Sequence, residues 1–377
     1  MKIFIIGPAH PYRGGIAALN DRLAQQLSAE GHQVEVISFS LQYPGFLFPG
    51  KTQFTTSPTP ENLNVKQLIN SVNPFNWIIT GLKLRRQKPD LVIVRFWLPF
   101  MGPSTGTVCR LIKRKRKTKI IAIVDNILPH ENRPGDQLFT KYFAGSVDGF
   151  LAMSGSVYND LDLFIGNKPK KYSPHPIYDH YGKIILKEEA IAQLNLDPQY
   201  KYLLFFGFIR DYKGLDLLLK ALSHENISTM NIRLLVAGEF YSNEKKYLDL
   251  IESLHLEKQV VLRTDYIPEE LVSLYFCAAD LITQPYKAAT QSGVTQIGYH
   301  FEKPMLVTNV GGLPEIIEHG KCGYVVEPNE TAIADAIFDF YSNNRENEMK
   351  TEVRLAKVKF GWDKLTKTVF EIATLCS

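Results

Sequence analysis

Two series of alternating strand and helix patterns, one in each half of the chain, restrict the fold more than any other feature. The strand candidates are short apolar segments rich in β-branched and aromatic residues, and helical spacing of apolar residues follows most of them. In the first half they are KIFIIG (2–7), QVEVISF (33–39), LVIVRF (91–96), KIIAIVD (119–125) and GFLAMS (149–154). In the second half they are KYLLFFG (201–207), RLLVAG (233–238), QVVLRT (259–264), DLITQP (280–285) and PMLVTN (304–309). This alternation predicts βαβ units and an α/β protein with parallel sheets.

The length of the chain predicts two domains. Its 377 residues exceed one ordinary domain of roughly 150–200 residues. A proline- and tyrosine-rich segment without periodicity (170–183) is predicted to be the linker between the domains. Residues 40–75, rich in Pro, Thr, Asn and aromatic residues, are predicted to form a long irregular excursion. Two open α/β domains in tandem predict a ligand cleft between them, at the carboxyl ends of their strands.

Composition argues against several kinds of protein and site. No apolar run is long enough to span a membrane, and the first is too short for a signal peptide. Four scattered cysteines without a CxxC pair predict neither a disulfide framework nor a zinc site, and so favour a cytoplasmic location. The triplet Asp160-Leu161-Asp162 falls within a helical pattern, so we expect no metal site there.

The charge is distributed unevenly along the chain. Residues 1–190 hold 24 Lys and Arg against 14 Asp and Glu, whereas residues 191–377 hold 19 against 25. The densest basic run is RLIKRKRKTK (110–119). Solubilising charge explains such runs more often than binding does, and among anionic partners lipid head groups fit this cationic cluster best. No recognition motif or interleaved aromatic residues accompany it, so we expect no nucleic-acid partner.

Three segments carry residues suited to an anionic or polar ligand. The first strand leads into GPAHPYRGG (7–15), where Gly14 and Gly15 precede a helix and let backbone N–H groups approach a phosphate; a simple turn is the alternative. The second is FFGFIRDYKG (205–214), in which Arg210 and Lys213 suit a diphosphate unless they are a solvated surface pair.

The third segment is PYKAATQSGVTQIGYHFEKPMLVTNVGGLPE (285–315). Its hydroxyl and amide side chains follow a strand, where they suit hydrogen bonds to a ligand or the capping of a helix. The residues concerned are Thr290, Gln291, Ser292, Gly293, Thr295 and Gln296.

Taken together and in this order, the segments resemble the retaining glycosyltransferases of the GT-B fold, family four, which use nucleotide-diphosphate sugars. The resemblance rests on the glycine loop, the GxxRxxKG loop, the PY…EKP…TNVGGLPE block and a sixth strand of the second half, GYVVEP (323–328). It implies two Rossmann-like domains whose parallel sheets face an interdomain cleft. It further implies an acceptor-binding domain (1–183), a donor-binding domain (184–360) and a final helix (361–377) that packs back on the first domain.

The resemblance also implies an activity: transfer of a hexosyl unit to a saccharide or lipid-linked acceptor, with retention of configuration, in polysaccharide or glycolipid synthesis. Arg210 and Lys213 would neutralise the donor diphosphate without a metal ion or other cofactor, and Gly14 and Gly15 would close over it. The protein is then expected in the cytoplasm, with docking on the inner face of the membrane through residues 110–119 as a further expectation.

Two departures from the family pattern bear on the site. Two family glutamates fall near Ala289 and Ile297, so the polar residues of the third segment, including Gln291 and Gln296, would take over sugar and ribose contacts. Their loss keeps open the alternative of a non-catalytic partner subunit with this fold. A nucleotide-sugar epimerase is a second alternative, because it needs the same phosphate cleft, although the acidic catalytic pair that it also needs is not found in the sequence.

The second departure lies in IAIVDNILPHE (121–131), where relatives often read VHNxLPHE. Asp125 stands in place of the first histidine and His130 is retained, so both are predicted to be catalytic. Asp125 would accept a proton from the acceptor or stabilise positive charge on the sugar. The alternatives are that Asp125 caps the next turn and that His130 packs in the core.

Overall fold

The computed structural model describes residues 1–45, 52–55, 60, 63–113, 117–128, 133–289 and 292–376. It divides into two compact units. Unit 1 consists of Met1–His175 with Trp362–Ser377, and unit 2 of Pro176–Gly361. The division therefore falls after His175, earlier than the expected boundary at 183/184.

Unit 1 contains one parallel sheet of seven strands. The strands are β1 (Lys2–Ile6), β2 (Gln33–Leu41), β3 (Val65–Asn70), β4 (Leu91–Phe96), β5 (Lys119–Val124), β6 (Gly149–Ala152) and β7 (Lys170–Tyr172). Their order across the sheet is β3-β2-β1-β4-β5-β6-β7, so the direction of the crossovers reverses between β1 and β4. The five strands predicted in this half are confirmed within one or two residues at their ends.

The helices of unit 1 cover its sheet. They are α1 (Gly15–Ala29), α2 (Pro74–Arg86), α3 (Gly102–Ile112), α4 (Asp136–Ala144), α5 (Gly155–Asp160) and α6 (Asp162–Ile165). In the core, the rings of Phe96 on β4 and Phe143 on α4 stack with their centroids 4.2 Å apart. Burial of such side chains, and not local propensity, stabilises these elements.

Two predictions for unit 1 are wrong in part, and both errors concern edge strands, although the division between the units does fall within the expected linker. The expected excursion (40–75) contains β3 and the start of α2, and the expected linker (170–183) begins with β7. The sequence of β3 is VKQLIN and that of β7 is KKY, and the polar residues in both weaken the apolar pattern of a strand. Each strand forms because it pairs with the backbone of a neighbouring strand in the sheet, β3 with β2 and β7 with β6. The Lys66 ammonium on β3 also lies 2.6 Å from the Glu35 carboxylate on β2.

Unit 2 contains a second parallel sheet, of six strands. They are β8 (Lys201–Phe206), β9 (Ile232–Ala237), β10 (Val260–Arg263), β11 (Leu281–Gln284), β12 (Met305–Thr308) and β13 (Gly323–Val326), in the order β10-β9-β8-β11-β12-β13. All six predicted strands are confirmed. The crossovers reverse between β8 and β11, and open α/β sheets bind ligands at such a point, beyond the carboxyl ends of the strands.

Helices follow most strands of unit 2, as the pattern predicts. They are α7 (Lys187–Gln193), α8 (Leu215–Leu222), α9 (Glu225–Ser228), α10 (Glu244–Ser253), α11 (Val272–Ala278), α12 (Gly293–His300), α13 (Leu313–Ile316), α14 (Glu330–Ser342) and α15 (Glu346–Lys357). The apolar positions of α8 are buried against the sheet.

The last helix, α16 (Trp362–Leu375), belongs to unit 1 and packs on α1, β5 and β6. A Cβ atom on Gly149 of β6 would lie 2.4 Å from Cγ2 of Ile372, so glycine permits the close approach of this helix. Within the described ranges, no helix combines the length and the apolar character needed to cross a bilayer.

Candidate functional site

Glycines shape the loop that follows β8 at the crossover reversal of unit 2. Gly207 directly follows the strand with a φ of 93°, and Gly214 precedes α8 with a φ of 69°. A Cβ on Gly214 would lie 1.9 Å from the carbonyl oxygen of Pro285, just beyond β11. Only glycine fits this contact and this backbone conformation, so Gly214 lets the loops after β8 and β11 approach each other closely.

Two cations lie on this loop. The Nζ atom of Lys213 lies 3.1 Å from the position that a Cβ would take on Gly207, and 5.7 Å from the ring centroid of Tyr286. The Arg210 guanidinium lies 5.2 Å from the ring of Tyr241. The structure thus places both predicted phosphate-binding residues at the carboxyl edge of the sheet, against aromatic rings.

The carboxylates near these two cations are paired with other groups. Asp211 accepts from the Lys246 ammonium at 3.0 Å, and Asp216 pairs with Lys287 at 2.6 Å. In the part of the chain that the structure describes, neither Arg210 nor Lys213 forms an ion pair. The loop therefore presents positive charge that the described residues do not neutralise.

The environment destabilises the charged form of Lys213. Burial, reinforced by the neighbouring positive charge of Arg210, lowers the pKa of Lys213 from 10.5 to about 8. An anion placed between the two cations would stabilise both charges. Perturbed groups of this kind concentrate at functional sites, so the pKa supports the prediction of a phosphate site.

The polar segment after β11 is partly described. Thr290 and Gln291 lie outside the described residues, so their predicted ligand contacts stay predictions. Ser292 caps α12, because its Oγ accepts from the backbone N–H of Val294 at 3.2 Å and lies 3.3 Å from the hydroxyl of Tyr286. Helix capping, one of the two roles considered for this segment, is thus observed for Ser292.

Gly293 and Gln296 lie on α12. A Cβ on Gly293 would lie 2.9 Å from Cε2 of Tyr178, so close packing requires glycine there. Gln296 is fully buried, and neither of its amide atoms has a hydrogen-bond partner among the described residues; the same holds for Gln284 at the end of β11. An unpaired buried amide costs about 1–3 kcal/mol, so both glutamines indicate a polar partner that the described part of the chain does not supply.

The glycine loop of unit 1 lies at the start of α1. Gly14 has a φ of 111° and occupies the N-cap position, and Gly15 is the first helical residue. Both line a pocket of about 230 Å³ that the aromatic side chains of Tyr12, Tyr43 and Trp97 also line. The start of a 15-residue helix, where N–H groups and the helix dipole favour negative charge, therefore opens onto this pocket.

Asp125 follows β5 in unit 1, and a buried arginine holds its carboxylate. Oδ2 accepts from Nε of Arg95 at 2.6 Å and Oδ1 accepts from Nη2 at 2.5 Å, while the Arg95 side chain is only 2% exposed. Burial raises the pKa of Asp125, and the contacts with Arg95 oppose that shift. Both oxygens are thus engaged, and no backbone N–H in the described segments caps through this carboxylate.

Sequence reasoning missed Arg95, although a signal was present. An arginine inside the apolar run LVIVRF needs a partner when the strand is buried. Arg95 pairs in register with Ile123 on β5, two residues before Asp125, which therefore lies on the same side of the sheet. His130 lies outside the described residues, so its catalytic role stays a prediction.

The basic run (110–119) is largely engaged within unit 1 where the structure describes it. Arg110 donates to the carbonyl oxygen of Tyr142 at 2.6 Å and stacks on its ring, Lys113 pairs with Asp148, and Lys119 donates to a backbone carbonyl. Residues 114–116 lie outside the described ranges. The described part therefore adds no support to the expectation that this run docks on a membrane.

No cluster of three or more His, Cys, Asp or Glu side chains suited to a metal ion occurs in the described ranges. Within the triplet 160–162, Asp162 pairs with the Lys170 ammonium at 2.7 Å, as expected of an ordinary helical carboxylate.

The two halves of the chain match models of protein families. Residues 13–173 match the family described as Glycosyltransferase Family 4, and residues 187–356 match Glycosyl transferases group 1. Spore coat protein SA of Bacillus subtilis (strain 168) is 23% identical to this chain, with 99% of each covered.

Solved structures resemble the chain over its whole length. Sucrose-phosphate synthase from Thermosynechococcus elongatus superposes with a TM-score of 0.76 at 14% identity, and all of each chain is covered. Anabaena Alr3699/HepE, solved in complex with UDP and glucose, has a TM-score of 0.73 at 15% identity, with 99% of each chain covered. At these identities the likeness shows the fold alone. This fold is the GT-B fold that the resemblance in sequence implies.

Proposed function

We propose that this chain, a glycosyltransferase of the GT-B fold and the family 4 type, transfers a hexosyl unit from a nucleotide-diphosphate sugar to a saccharide or lipid-linked acceptor, with retention of configuration. Unit 2 binds the donor and unit 1 binds the acceptor. The observation that carries the proposal is the pair of cations, Arg210 and Lys213, which lack an anionic partner in the described ranges.

A diphosphate suits this pair because it is the leaving group of the reaction. Negative charge builds up on it as the sugar departs, and preorganised cations stabilise that charge more in the transition state than in the bound donor. The start of α1, with Gly14 and Gly15, supplies backbone N–H groups for the same kind of anion.

The uncharged part of the donor is bound by amides and hydroxyls of unit 2. Within the described ranges Gln284 and Gln296 are buried without hydrogen-bond partners, and sugar and ribose hydroxyls both donate and accept hydrogen bonds. The likeness to HepE, whose structure holds UDP and glucose, supports a uridine nucleotide as the first donor to test.

Asp125 acts in this proposal by orienting Arg95 and not as the proton acceptor, because the arginine engages both carboxylate oxygens. His130 remains the proposed catalytic side chain of unit 1.

Incubation of the purified protein with a panel of UDP, GDP and ADP sugars tests the function. We expect release of the nucleoside diphosphate from at least one donor, and faster release when saccharide or lipid-linked acceptors are added. Binding without release would indicate a non-catalytic partner subunit, and conversion of one nucleotide sugar into another would indicate an epimerase. Analysis of the anomeric configuration of the product tests retention.

Turnover is expected to survive chelation of divalent cations. Arg210 and Lys213 already provide positive charge where the diphosphate is proposed to bind, so EDTA should leave the initial rate unchanged. The rate with excess magnesium or manganese serves as the comparison. Loss of activity in EDTA that either ion restores would contradict the metal-free mechanism.

A further inference from the structure

Helix α2 of unit 1 exposes an apolar stripe to solvent. The large side chains of Phe75, Ile78, Ile79 and Leu82 are 79%, 46%, 67% and 43% exposed. Their spacing, i, i+3, i+4 and i+7, places them along one face of the helix. Single exposed apolar residues are ordinary, but four on one helical face form a patch that indicates an interaction surface.

The opposite face of α2 already packs against its own unit. Thr80, Gly81 and Leu84 are buried there, and a Cβ on Gly81 would lie only 2.7 Å from Cβ of Leu111 on α3. The exposed stripe is therefore not the face that anchors the helix. It is a second apolar face, which we call the outer stripe.

Cations surround the outer stripe at the C-terminal end of the helix. They are Lys83, Arg85, Arg86 and Lys88, and all four are exposed. At roughly 100° per residue, Lys83 and Arg85 flank the stripe on its two sides, and Arg86 lies within it. Residues 72–89 contain no Asp or Glu, and none of the four cations forms an ion pair within the described ranges.

We propose that the outer stripe of α2 docks unit 1 on an anionic lipid surface. Exposed Phe, Ile and Leu side chains bordered by Lys and Arg are the arrangement with which a helix lies in a bilayer interface, its apolar side chains below the head groups and its cations among the phosphates. The surface lies on α2, and not on the basic run (110–119) that the sequence indicated.

Charge complementarity favours an anionic lipid surface over a second copy of the chain as the partner of the outer stripe. In a two-fold symmetric contact the same patch meets itself, which would bring the unpaired cations of α2 from both copies into one interface. An anionic bilayer meets the same cations with phosphates.

Flotation of the full chain with vesicles tests the proposal. We expect binding to vesicles of equal parts phosphatidylglycerol and phosphatidylcholine, and little binding to phosphatidylcholine alone. Phe75→Ser with Ile79→Ser should weaken binding by at least about tenfold. Lys83→Gln with Arg85→Gln and Arg86→Gln should weaken it by roughly 100-fold.

Matched controls come from unit 2. Leu355→Ser with Val358→Ser removes apolar residues that are 64% and 70% exposed, and Lys220→Gln with Lys245→Gln and Lys258→Gln removes three exposed cations. Both controls should bind vesicles like the wild type. All variants change exposed side chains, so thermal unfolding and nucleoside diphosphate affinity should be unchanged, which separates this test from that of the proposed function.

Three outcomes would overturn the proposal. They are wild-type protein that does not bind anionic vesicles, α2 variants that bind them as well as the wild type, and controls that lose binding equally. A dimer in sedimentation experiments that Phe75→Ser with Ile79→Ser dissociates, without vesicle binding by the wild type, would assign the outer stripe to a contact between copies of the chain.

Discussion

Replacement of Lys213 by methionine is expected to weaken binding of a nucleoside diphosphate by roughly 10- to 100-fold, because one charge-assisted contact contributes about 1.5–3 kcal/mol. Methionine retains an apolar side chain against the ring of Tyr286 and removes the charge. Titration calorimetry with UDP, GDP and ADP measures the change. Lys220→Met, on the exposed face of α8, is the control and should bind like the wild type.

The same lysine makes binding depend on pH. Burial and Arg210 lower the pKa of Lys213 to about 8, so in the free protein the ammonium is lost as the pH rises through that value, and affinity for the anion falls. A bound diphosphate favours the ammonium and raises this pKa, so binding takes up a proton above about pH 8.

Calorimetry in two buffers of different ionisation enthalpy measures that proton uptake, which should disappear in Lys213→Met. In Arg210→Gln the pKa of Lys213 should rise, because a neighbouring positive charge is removed, and the uptake should move to higher pH. Equal affinity and equal proton uptake in the wild type and in Lys213→Met would show that the diphosphate does not bind at this loop.

The variant Asp125→Asn is expected to lower the free energy of unfolding by roughly 3–5 kcal/mol, the cost of leaving a buried charge without its partner. The unpaired charge is that of Arg95, whose side chain is 2% exposed. Urea unfolding measures the loss. The double variant Arg95→Met with Asp125→Asn should recover much of it, because it removes the buried charge as well.

This double-mutant cycle separates structure from chemistry at Asp125. A large coupling energy between the two positions supports the orienting role. Wild-type stability in Asp125→Asn, together with turnover lowered by roughly 10²–10⁴-fold, would instead make Asp125 the acid or base of the reaction.

Much of unit 2 could be predicted because its signals are local. In residues 205–214, a buried strand, a glycine with positive φ and two cations follow one another within one loop. The chain therefore brings Arg210 and Lys213 to the end of β8 whatever the rest of the fold does. The edge strands β3 and β7 could not be predicted in this way, because their neighbours in the sheet, and not their own apolar pattern, select them.

Local patterns in the sequence by themselves determined two α/β units, most strands of their sheets and the loop that carries Arg210 and Lys213, because apolar periodicity and loop chemistry act over a few residues. Only the tertiary structure decided that Asp125 pairs with Arg95, thirty residues away along the chain, because parallel pairing of β4 and β5 brings them together. Burial, together with the charge of Arg210, lowered the pKa of Lys213, and only the packing of α2 on α3 decided which of the two apolar faces of α2 meets water. These properties depend on the packing of segments that lie far apart in the sequence, which no local pattern contains.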